Sequence, residues 1–105
     1  MKSFGEYIRD QRISRGLLLR EVAAHLQIDP SLLSRIERGD KRPTRLQVTA
    51  LAAILKTSEE DLLVHYLSDR VVYTLKDEKL AIKAIEIAEK KITYLKRRKP
   101  RGKGK

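Results

Sequence analysis

The segment Leu19–Gly39, LREVAAHLQIDPSLLSRIERG, predicts two short helices joined by a tight turn. The first helix is expected over about residues 19–26, and the second begins at Pro30. Asp29 is a good N-cap, because its carboxylate accepts hydrogen bonds from the free backbone N–H groups of the next turn. Pro30 occupies the first helical position, where a missing N–H costs nothing. Gly39 ends the helix, because glycine enters the left-handed conformation without strain.

Apolar side chains recur through this segment at helical spacing, so the two helices are predicted to share one buried seam. The seam residues are Val22, Ala23, Leu26, Ile28, Leu33 and Ile36. Ala23 is small at the point where two helix backbones must approach closely. The opposite face of the second helix is polar and carries two cations and no acid. Its residues are Pro30, Ser31, Ser34, Arg35 and Arg38.

This pattern resembles the helix-turn-helix of the phage-repressor/Cro-like family of DNA-binding regulators. The resemblance rests on four short motifs in order: IRDQR at 8–12, REVA at 20–23, SRIERG at 34–39 and KRPT at 41–44. It covers about residues 4–63. It implies an all-α fold, with a five-helix repressor-like helix-turn-helix domain that is followed here by a C-terminal helical extension.

The sequence departs from the family pattern at three positions. Leu18 stands where the family usually has a Ser or Thr cap, and Leu19 where it often has a Gln that contacts a phosphate. Gln27 stands where the family usually has the turn Gly. We therefore expect Gln27 to adopt a positive φ, at a cost of about 1 kcal/mol relative to glycine.

Composition limits the class of protein. The chain has 105 residues and only 5% aromatic residues, so one domain with an aliphatic core is expected. The absence of cysteine excludes a disulfide framework and a thiolate metal site. No apolar run approaches the roughly 18 residues that span a membrane, and the N-terminal segment lacks the apolar core of a signal peptide. We expect a cytoplasmic protein that uses no cofactor.

The net charge of +10 indicates a polyanionic partner. Residues 96–105 hold seven cations and no acid, so most of the excess charge belongs to this segment. We predict a DNA-binding domain over residues 1–66, a helical dimerisation extension over 67–95 and a disordered basic tail over 96–105. The tail is expected to raise non-specific DNA affinity without reading sequence.

Caps and periodicity place the remaining helices. A first helix over about residues 4–15 is expected to turn Ile13 inward, and a fourth over about 45–55 includes Leu46 among its apolar positions. A fifth runs to about Leu75, and the last continues to about Arg98. The predicted caps of these four helices are Ser3, Thr44, Ser58 and Asp77.

Glu37 lies near the C-terminal end of the second motif helix, where the helix dipole disfavours an anion. An acid there needs a cation, and the resemblance implies that Arg12 on the first helix supplies it. We expect a partly buried Arg12–Glu37 ion pair that orients the helices more than it stabilises them, because burying an ion pair costs desolvation.

A recognition helix places side chains of its N-terminal half against base edges in the major groove. The candidate base-reading residues are Pro30, Ser31 and Arg35. Arg35 can donate two hydrogen bonds to guanine, although such a side chain can instead contact a phosphate or pair with an acid. The candidate phosphate contacts are Arg20, Ser34, Arg38, Lys41, Arg42, Thr44 and Arg45.

The C-terminal third holds more apolar surface than one helix can hide. Residues 81–95 follow a heptad-like spacing of about two repeats. One interpretation is an intramolecular helical hairpin packed on the domain, the other is a homodimer interface, and we expect both together. The predicted interface residues are Tyr66, Val71, Tyr73, Ile85, Ala88, Ile92 and Leu95.

Enzyme chemistry finds little support in the sequence. The histidines, His25 and His65, are far apart, so neither a metal site nor a catalytic dyad is indicated.

We expect a sequence-specific regulator of transcription that binds double-stranded DNA as a homodimer. Two alternatives stay open. One is an antitoxin whose C-terminal helices grip a toxin, and the other is a protein-interaction module without DNA binding.

Overall fold

The structure is a computed structural model that describes the backbone of residues 1–103 and the side chains of residues 1–98. The described part contains six α-helices and no strand, which confirms the all-α prediction. The helices are α1 (Phe4–Ser14), α2 (Leu19–Leu26), α3 (Pro30–Arg38), α4 (Arg45–Ile54), α5 (Glu59–Leu75) and α6 (Ala81–Lys103).

The chain divides into two compact units, Met1–Val71 and Val72–Lys105. The first unit therefore extends beyond the boundary predicted after residue 66, and the contacts of α5 explain why. The Tyr66 ring meets the Phe4 ring edge-on with centroids 6.2 Å apart. Further along α5, Asp69 Oδ2 accepts a hydrogen bond of 2.9 Å from the backbone N–H of Phe4. These contacts fasten α5 to the start of α1.

The core of the first unit is aliphatic apart from Phe4, as the low aromatic content predicts. Its buried hydrophobic residues are Phe4, Ile8, Val22, Ala23, Leu33, Ile36, Val48, Leu51, Ala52, Leu55 and Leu62. Leu26 and Ile28 pack against this core while half-buried. The seam predicted across the two motif helices is therefore the centre of the fold.

A glycine allows α1 and α3 to approach closely. A Cβ built on Gly5 would lie 2.5 Å from the backbone oxygens of both Ile36 and Glu37. No real Cβ tolerates such a contact, and backbone atoms cannot move aside as a flexible side chain does. The sequence around Gly5 gives no sign of this role, because the approach joins segments that are far apart in the chain.

Within residues 1–103, two non-glycine residues have left-handed backbones. Gln27 has φ 59° and ψ 42°, which confirms the prediction made from its place in the turn. Lys56, just after α4, has φ 53° and was not predicted. Its carbonyl oxygen accepts a hydrogen bond of 3.0 Å from Arg15 Nη2. Each of these residues ends a helix where glycine is usually preferred.

Two apolar residues of α1 and α4, Ile13 and Leu46, are exposed, and for Ile13 this contradicts the prediction that it faces inward. Ile13 is 52% exposed because it lies five positions after the buried Ile8, about 140° round the helix. Leu46 is 83% exposed because it lies two positions before the buried Val48, about 200° round the helix. In both helices the buried face is narrower than the set of apolar residues.

The last helix differs from the prediction at both ends. A turn over residues 76–80 delays its start, with Glu78 N–H donating to the Leu75 carbonyl at 2.9 Å, so Asp77 does not cap it. The predicted disordered tail begins at residue 96, yet α6 continues to Lys103. Residues 96–98 are lysine and arginine, which are good helix formers, and Arg98 Nη1 donates to Tyr94 Oη at 3.0 Å one turn earlier. The rest of that prediction, at residues 104 and 105, lies outside the described residues.

Candidate nucleic-acid interface

The N-terminus of α3 is fixed by Asp29, as predicted. Its Oδ1 accepts hydrogen bonds from the Ser31 backbone N–H at 2.8 Å and from Ser31 Oγ at 2.7 Å. The side-chain hydrogen bond, followed by the backbone one, lowers the pKa of Asp29 below its ordinary value of 3.8. The cap is therefore ionised at neutral pH, and Ser31 has already committed its hydroxyl hydrogen.

The two faces of α3 differ as the sequence predicts. Leu33, Ile36 and Glu37 are buried, whereas Arg35 and Arg38 are exposed. The Arg35 side chain makes no hydrogen bond or ion pair with any residue in the described part of the chain. Its guanidinium group, which has five N–H donors, is presented to solvent from the outward side of the helix.

Behind α3, the ion pair expected between Arg12 and Glu37 is present. Arg12 Nε donates to Glu37 Oε2 at 2.7 Å, and Nη2 donates to Oε1 at 3.0 Å, a bidentate arrangement. Arg12 Nη1 also donates to the Leu17 carbonyl at 3.0 Å. The hydrogen bond that Arg12 donates to Glu37 raises the pKa of Arg12 above its usual value, so the guanidinium stays charged. The pair joins the end of α1, the following loop and the end of α3.

At the start of α2, the two leucines that depart from the family pattern, Leu18 and Leu19, supply no polar side chain. Leu18 offers no side-chain acceptor, and its own backbone N–H donates to Glu21 Oε1 at 2.8 Å. Leu19 is half-buried and packs against the core. Arg20 is exposed. In the first turn of α2, Arg20 is therefore the exposed cation that is available to contact a phosphate.

Two of the predicted phosphate contacts are bonded to each other. Arg38 Nη1 donates to Ser34 Oγ at 2.7 Å, and Arg38 Nε donates to Asp40 Oδ2 at 3.1 Å. Arg38 and Asp40 are both well exposed, and such surface ion pairs contribute only about 0–1 kcal/mol. A phosphate can compete with a pair of this strength.

A capping box begins α4. Thr44 Oγ1 accepts from Gln47 N–H at 3.1 Å, and Gln47 Oε1 accepts from Thr44 N–H at 2.9 Å. Lys41, Arg42 and Arg45 are exposed around this helix start. The hydroxyl of Thr44 therefore accepts a bond that holds the cap, and the exposed cations surround it.

The predicted DNA contacts all belong to the first unit, on α2, α3, the loop that follows α3 and the start of α4. The predicted interface residues are divided between the two units. Tyr66 is half-buried within the first unit and Val71 is exposed there, whereas the remaining five are exposed in the second unit. Tyr66 contributes to the packing of the first unit rather than to a free apolar face.

Three residues that position this surface were not predicted from the sequence. They are Gly5, Gln47 and Asp69. Gln47 carries a readable signal, because Ser or Thr followed three residues later by Glu or Gln is the capping-box pattern. Ser3 and Glu6 form a second capping box at α1. Asp69 gives no local signal, since it lies far along the chain from Phe4.

The two histidines lie in different surroundings. His25 is exposed, and the His65 ring stacks on the Tyr7 ring with centroids 4.6 Å apart. Among the described residues, no group of histidine and acidic side chains is placed to hold a metal ion. None of the helices in that part of the chain is both long and apolar enough to cross a membrane.

Comparison with known proteins decides the family. The profile described as "Helix-turn-helix domain" matches residues 3–64. This chain belongs to the helix-turn-helix family. The match covers α1–α4 and the start of α5, and therefore every predicted DNA contact. The resemblance drawn from the motifs to phage-repressor/Cro-like regulators is confirmed, and the family consists of transcription regulators rather than enzymes.

A curated relative is similar to this chain over part of its length. An uncharacterised HTH-type transcriptional regulator, RghRB of Bacillus subtilis (strain 168), is 33% identical over 64 residues, which are 60% of this chain and 46% of the relative. The chain thus matches less than half the length of that curated relative.

The similar structures agree with the all-α fold. The clp gene regulator ClgR from Corynebacterium glutamicum has a TM-score of 0.56 and 24% identity, over 75% of this chain and 84% of that one. A structure described as a SinR protein/SinI protein complex has a TM-score of 0.53 and 25% identity, over 92% of this chain and 98% of that one.

Proposed function

We propose that this protein is a cytoplasmic transcriptional regulator that binds double-stranded DNA in a sequence-specific manner, as a homodimer on a near-palindromic operator. The observation that carries the proposal is the outward side of α3, where Arg35 is exposed and has no partner among the described residues. The buried side of the same helix rests on the core and on Arg12. A rigid helix with a cationic outward face suits the major groove of a duplex.

Three residues of α3 are assigned to base reading. Arg35 donates two hydrogen bonds to guanine O6 and N7, which gives roughly 1–3 kcal/mol of discrimination against the wrong base. Ser31 acts as an acceptor, because its hydroxyl hydrogen is held by Asp29. It therefore suits the amino group of adenine or cytosine. Pro30 packs against a thymine methyl group.

Phosphate contacts fix the register of the protein without reading sequence. We assign this role to Arg20, Ser34, Arg38, Lys41, Arg42, Thr44 and Arg45. The Thr44 backbone N–H already donates to Gln47. A phosphate at the start of α4 therefore meets the following two backbone amides and the cationic side chains around them, at the positive end of the helix dipole.

Substitution of Arg35 separates base reading from charge. Arg35→Ala is expected to weaken binding to the preferred duplex by roughly 1–3 kcal/mol and to relax preference at one base pair. Arg45→Ala is the matched control, since it removes the same charge from a phosphate-contacting position and weakens preferred and random duplexes alike. Fluorescence anisotropy with both duplexes measures the difference. Equal losses on the two duplexes for Arg35→Ala contradict base reading.

The dimer is proposed to form through the seam of α6, which we define as Ala81, Ile85, Ala88, Ile92 and Leu95. Ile85, Ile92 and Leu95 are 39%, 54% and 63% exposed in the single chain, which is unusual for large apolar residues repeated along one helix face. Two copies of the chain then present two recognition helices to half-sites about 34 Å apart.

Charge placed in this seam tests the dimer. Ile85→Lys with Ile92→Lys is expected to give a monomer in sedimentation velocity, because two buried cations would face their own copies across the seam. Ile87→Lys with Tyr94→Lys adds the same charge to another side of α6 and is expected to leave the dimer intact. An unchanged mass for the first double variant excludes this seam as the interface.

A protein partner is the second candidate, and it includes the antitoxin alternative. It is favoured by the exposed apolar side chains of α6 and by the likeness to a structure that is described as a complex of SinR with SinI. Co-purification of a stoichiometric second protein that is lost on deletion of α6 supports this candidate. Retention of such a protein after the deletion contradicts it.

A further inference from the structure

Helix α6 carries apolar side chains on two sides. The seam proposed for dimerisation occupies one side. Ile87 and Tyr94 lie on another side, with Leu80 seven residues earlier in the turn just before α6, and we call these three residues the second strip. At about 100° per residue, the second strip lies roughly 120° round the helix from the centre of the seam. One partner helix cannot cover both sides of α6, so dimerisation through the seam would not bury the second strip.

The second strip forms the floor of a shallow groove in two adjoining parts. One part, of about 420 Å³, is lined by Leu80, Lys83, Ala84, Ile87, Ala88 and Lys91. The other, of about 360 Å³, is lined by Ile87, Lys90, Lys91, Tyr94 and Leu95. The two parts share Ile87 and Lys91, so they form one continuous track. From Leu80 to Tyr94 the track spans about 21 Å, or about four helical turns.

The edges of this groove are cationic. Lys83, Lys90 and Lys91 line it, and no acid does. Arg98 extends the edge, with Nη1 donating to Tyr94 Oη at 3.0 Å and its guanidinium carbon 5.6 Å from the centre of the ring. The two acids of this stretch, Glu86 and Glu89, lie about 100° and 160° away round the helix from Ile87. An apolar floor therefore runs beside these lysines, and on its other flank the groove borders the seam, with which it shares Ala88 and Leu95.

We propose that this groove is a docking site for an acidic amphipathic helix of another protein, which deepens the second candidate above and does not depend on DNA reading. An apolar stripe on such a helix fills the floor, and its flanking glutamates or aspartates meet the lysines. A second copy of this chain is a poor occupant, because it would bring lysine against lysine. Duplex DNA satisfies the lysines but leaves Leu80 and Ile87 with no apolar surface to contact.

The probe is a synthetic helical peptide of about 25 residues, long enough to form a helix in water. It has leucine at the first and fourth positions of each heptad and glutamate at the flanking positions. Its twin has glutamine in place of every glutamate. The full-length protein is expected to bind the acidic peptide at least about tenfold more tightly than the twin in fluorescence anisotropy, because charge complementarity supplies the selectivity.

Matched variants locate the binding. Lys83→Glu with Lys90→Glu is expected to weaken the acidic peptide about tenfold or more, whereas Lys96→Glu, on the far side of α6, has little effect. Ile87→Ser with Tyr94→Ser weakens both peptides. Ile85→Ser with Ile92→Ser, which disrupts the seam, leaves peptide binding unchanged, so failure of the dimer and failure of this proposal are distinguishable.

Three results overturn the proposal. They are no binding of the acidic peptide, equal binding of the two peptides, and equal binding by the Lys83→Glu, Lys90→Glu variant and the wild type. Phosphatidylglycerol vesicles and a random duplex are tested with the same variants. If only the vesicles, or only the duplex, respond to the lysine substitutions, the groove is assigned to a lipid surface or to nucleic acid instead.

Discussion

In the first unit, Val48, Leu51 and Leu55 on or next to α4 are at most 1% exposed, whereas in the second unit Ile85, Ile92 and Leu95 on α6 are 39–63% exposed. Both sets of apolar residues repeat at helical spacing, so the spacing alone does not predict which set is buried. Periodicity defines which face of a helix is apolar. It does not define what covers that face, which depends on the elements that can reach it.

The two units differ in how closely their helices pack. In the first, small residues let helices meet: Ala23 is completely buried, and Gly5 admits the α3 backbone. In the second, every described side chain from residue 72 to 98 except Leu75 and Ala81 is exposed. The first unit thus buries a core of apolar side chains, whereas the large apolar side chains of α6 are exposed. Substitutions in both units test this difference, in order of decreasing effect.

The largest effect on the free energy of unfolding is expected from breaking the Arg12–Glu37 ion pair, which joins α1 and α3. Arg12→Ala leaves the Glu37 carboxylate buried without its cation and is expected to cost about 3–5 kcal/mol in the free energy of unfolding. Arg12→Met with Glu37→Leu should cost less, because no charge is left unpaired. Urea denaturation followed by circular dichroism measures both. A larger loss for the double variant contradicts this account of the pair.

A smaller loss is expected from the helix contact at Gly5. Gly5→Ala places a methyl group against two backbone oxygens of α3 and should destabilise the first unit by about 1–3 kcal/mol. Gly16→Ala is the control, because Gly16 has φ 69° and a Cβ added there would meet nothing within 4 Å, so the cost is backbone strain of about 1 kcal/mol. Equal stability of Gly5→Ala and the wild type would show that α1 and α3 do not approach as described.

Relief of strain in the turn before α3 should stabilise the first unit. Gln27→Gly removes the left-handed strain and is expected to raise the free energy of unfolding by about 1 kcal/mol at most, since glycine also gains entropy in the unfolded chain. Ala24→Gly, on an exposed helical position of α2, serves as the control and should be destabilising. A loss of stability in Gln27→Gly would argue against the φ of 59°.

A pH effect is expected at the cap of α3. Because the folded-state pKa of Asp29 is lowered, its stabilising contribution is present above the ordinary value of 3.8 and is lost as the pH falls through the folded pKa. The stability difference between the wild type and Asp29→Asn should therefore be constant from neutral pH down to about 5 and shrink at more acidic pH. Urea titrations at several pH values measure it, and a difference that grows on acidification has the wrong sign.

The smallest effect on folding is expected in the second unit. Ile85→Lys with Ile92→Lys should change the association of the protein while altering the unfolding free energy of its isolated monomer by less than about 0.5 kcal/mol, as for exposed positions in general. Denaturation at low protein concentration, compared with the Ile87→Lys, Tyr94→Lys variant, measures this. A large destabilisation of the monomer would mean that α6 is covered by its own chain.

What could be predicted from the sequence was mostly local. The cap at Asp29, the helix end at Gly39 and the left-handed Gln27 depend on neighbours a few residues away, and all three are confirmed. The contact at Gly5 and the Asp69 hydrogen bond depend on residues brought together only by folding. Leu46 shows that an apolar residue next to a buried face can remain exposed.

In the candidate site, too, features that depend on local sequence could be predicted and side-chain contacts could not. Helical periodicity alone places Arg35 outward, and its exposure agrees. The bonds of Ser31 to Asp29 and of Arg38 to Ser34 and Asp40 depend on side-chain rotamers, which no spacing pattern reveals. Helix α6 runs past its predicted end, because a run of lysine and arginine is compatible with a helix as well as with a disordered tail.

The central claim is that the outward side of α3 reads a duplex and that two copies do so together. Selection of bound sequences from a random duplex pool, with the wild type and Arg35→Ala in parallel, tests it directly. We predict a near-palindrome with half-sites centred about 34 Å apart, and loss of preference at one base pair of each half-site in the variant. A pool without enrichment, or the same motif selected by both proteins, would contradict it.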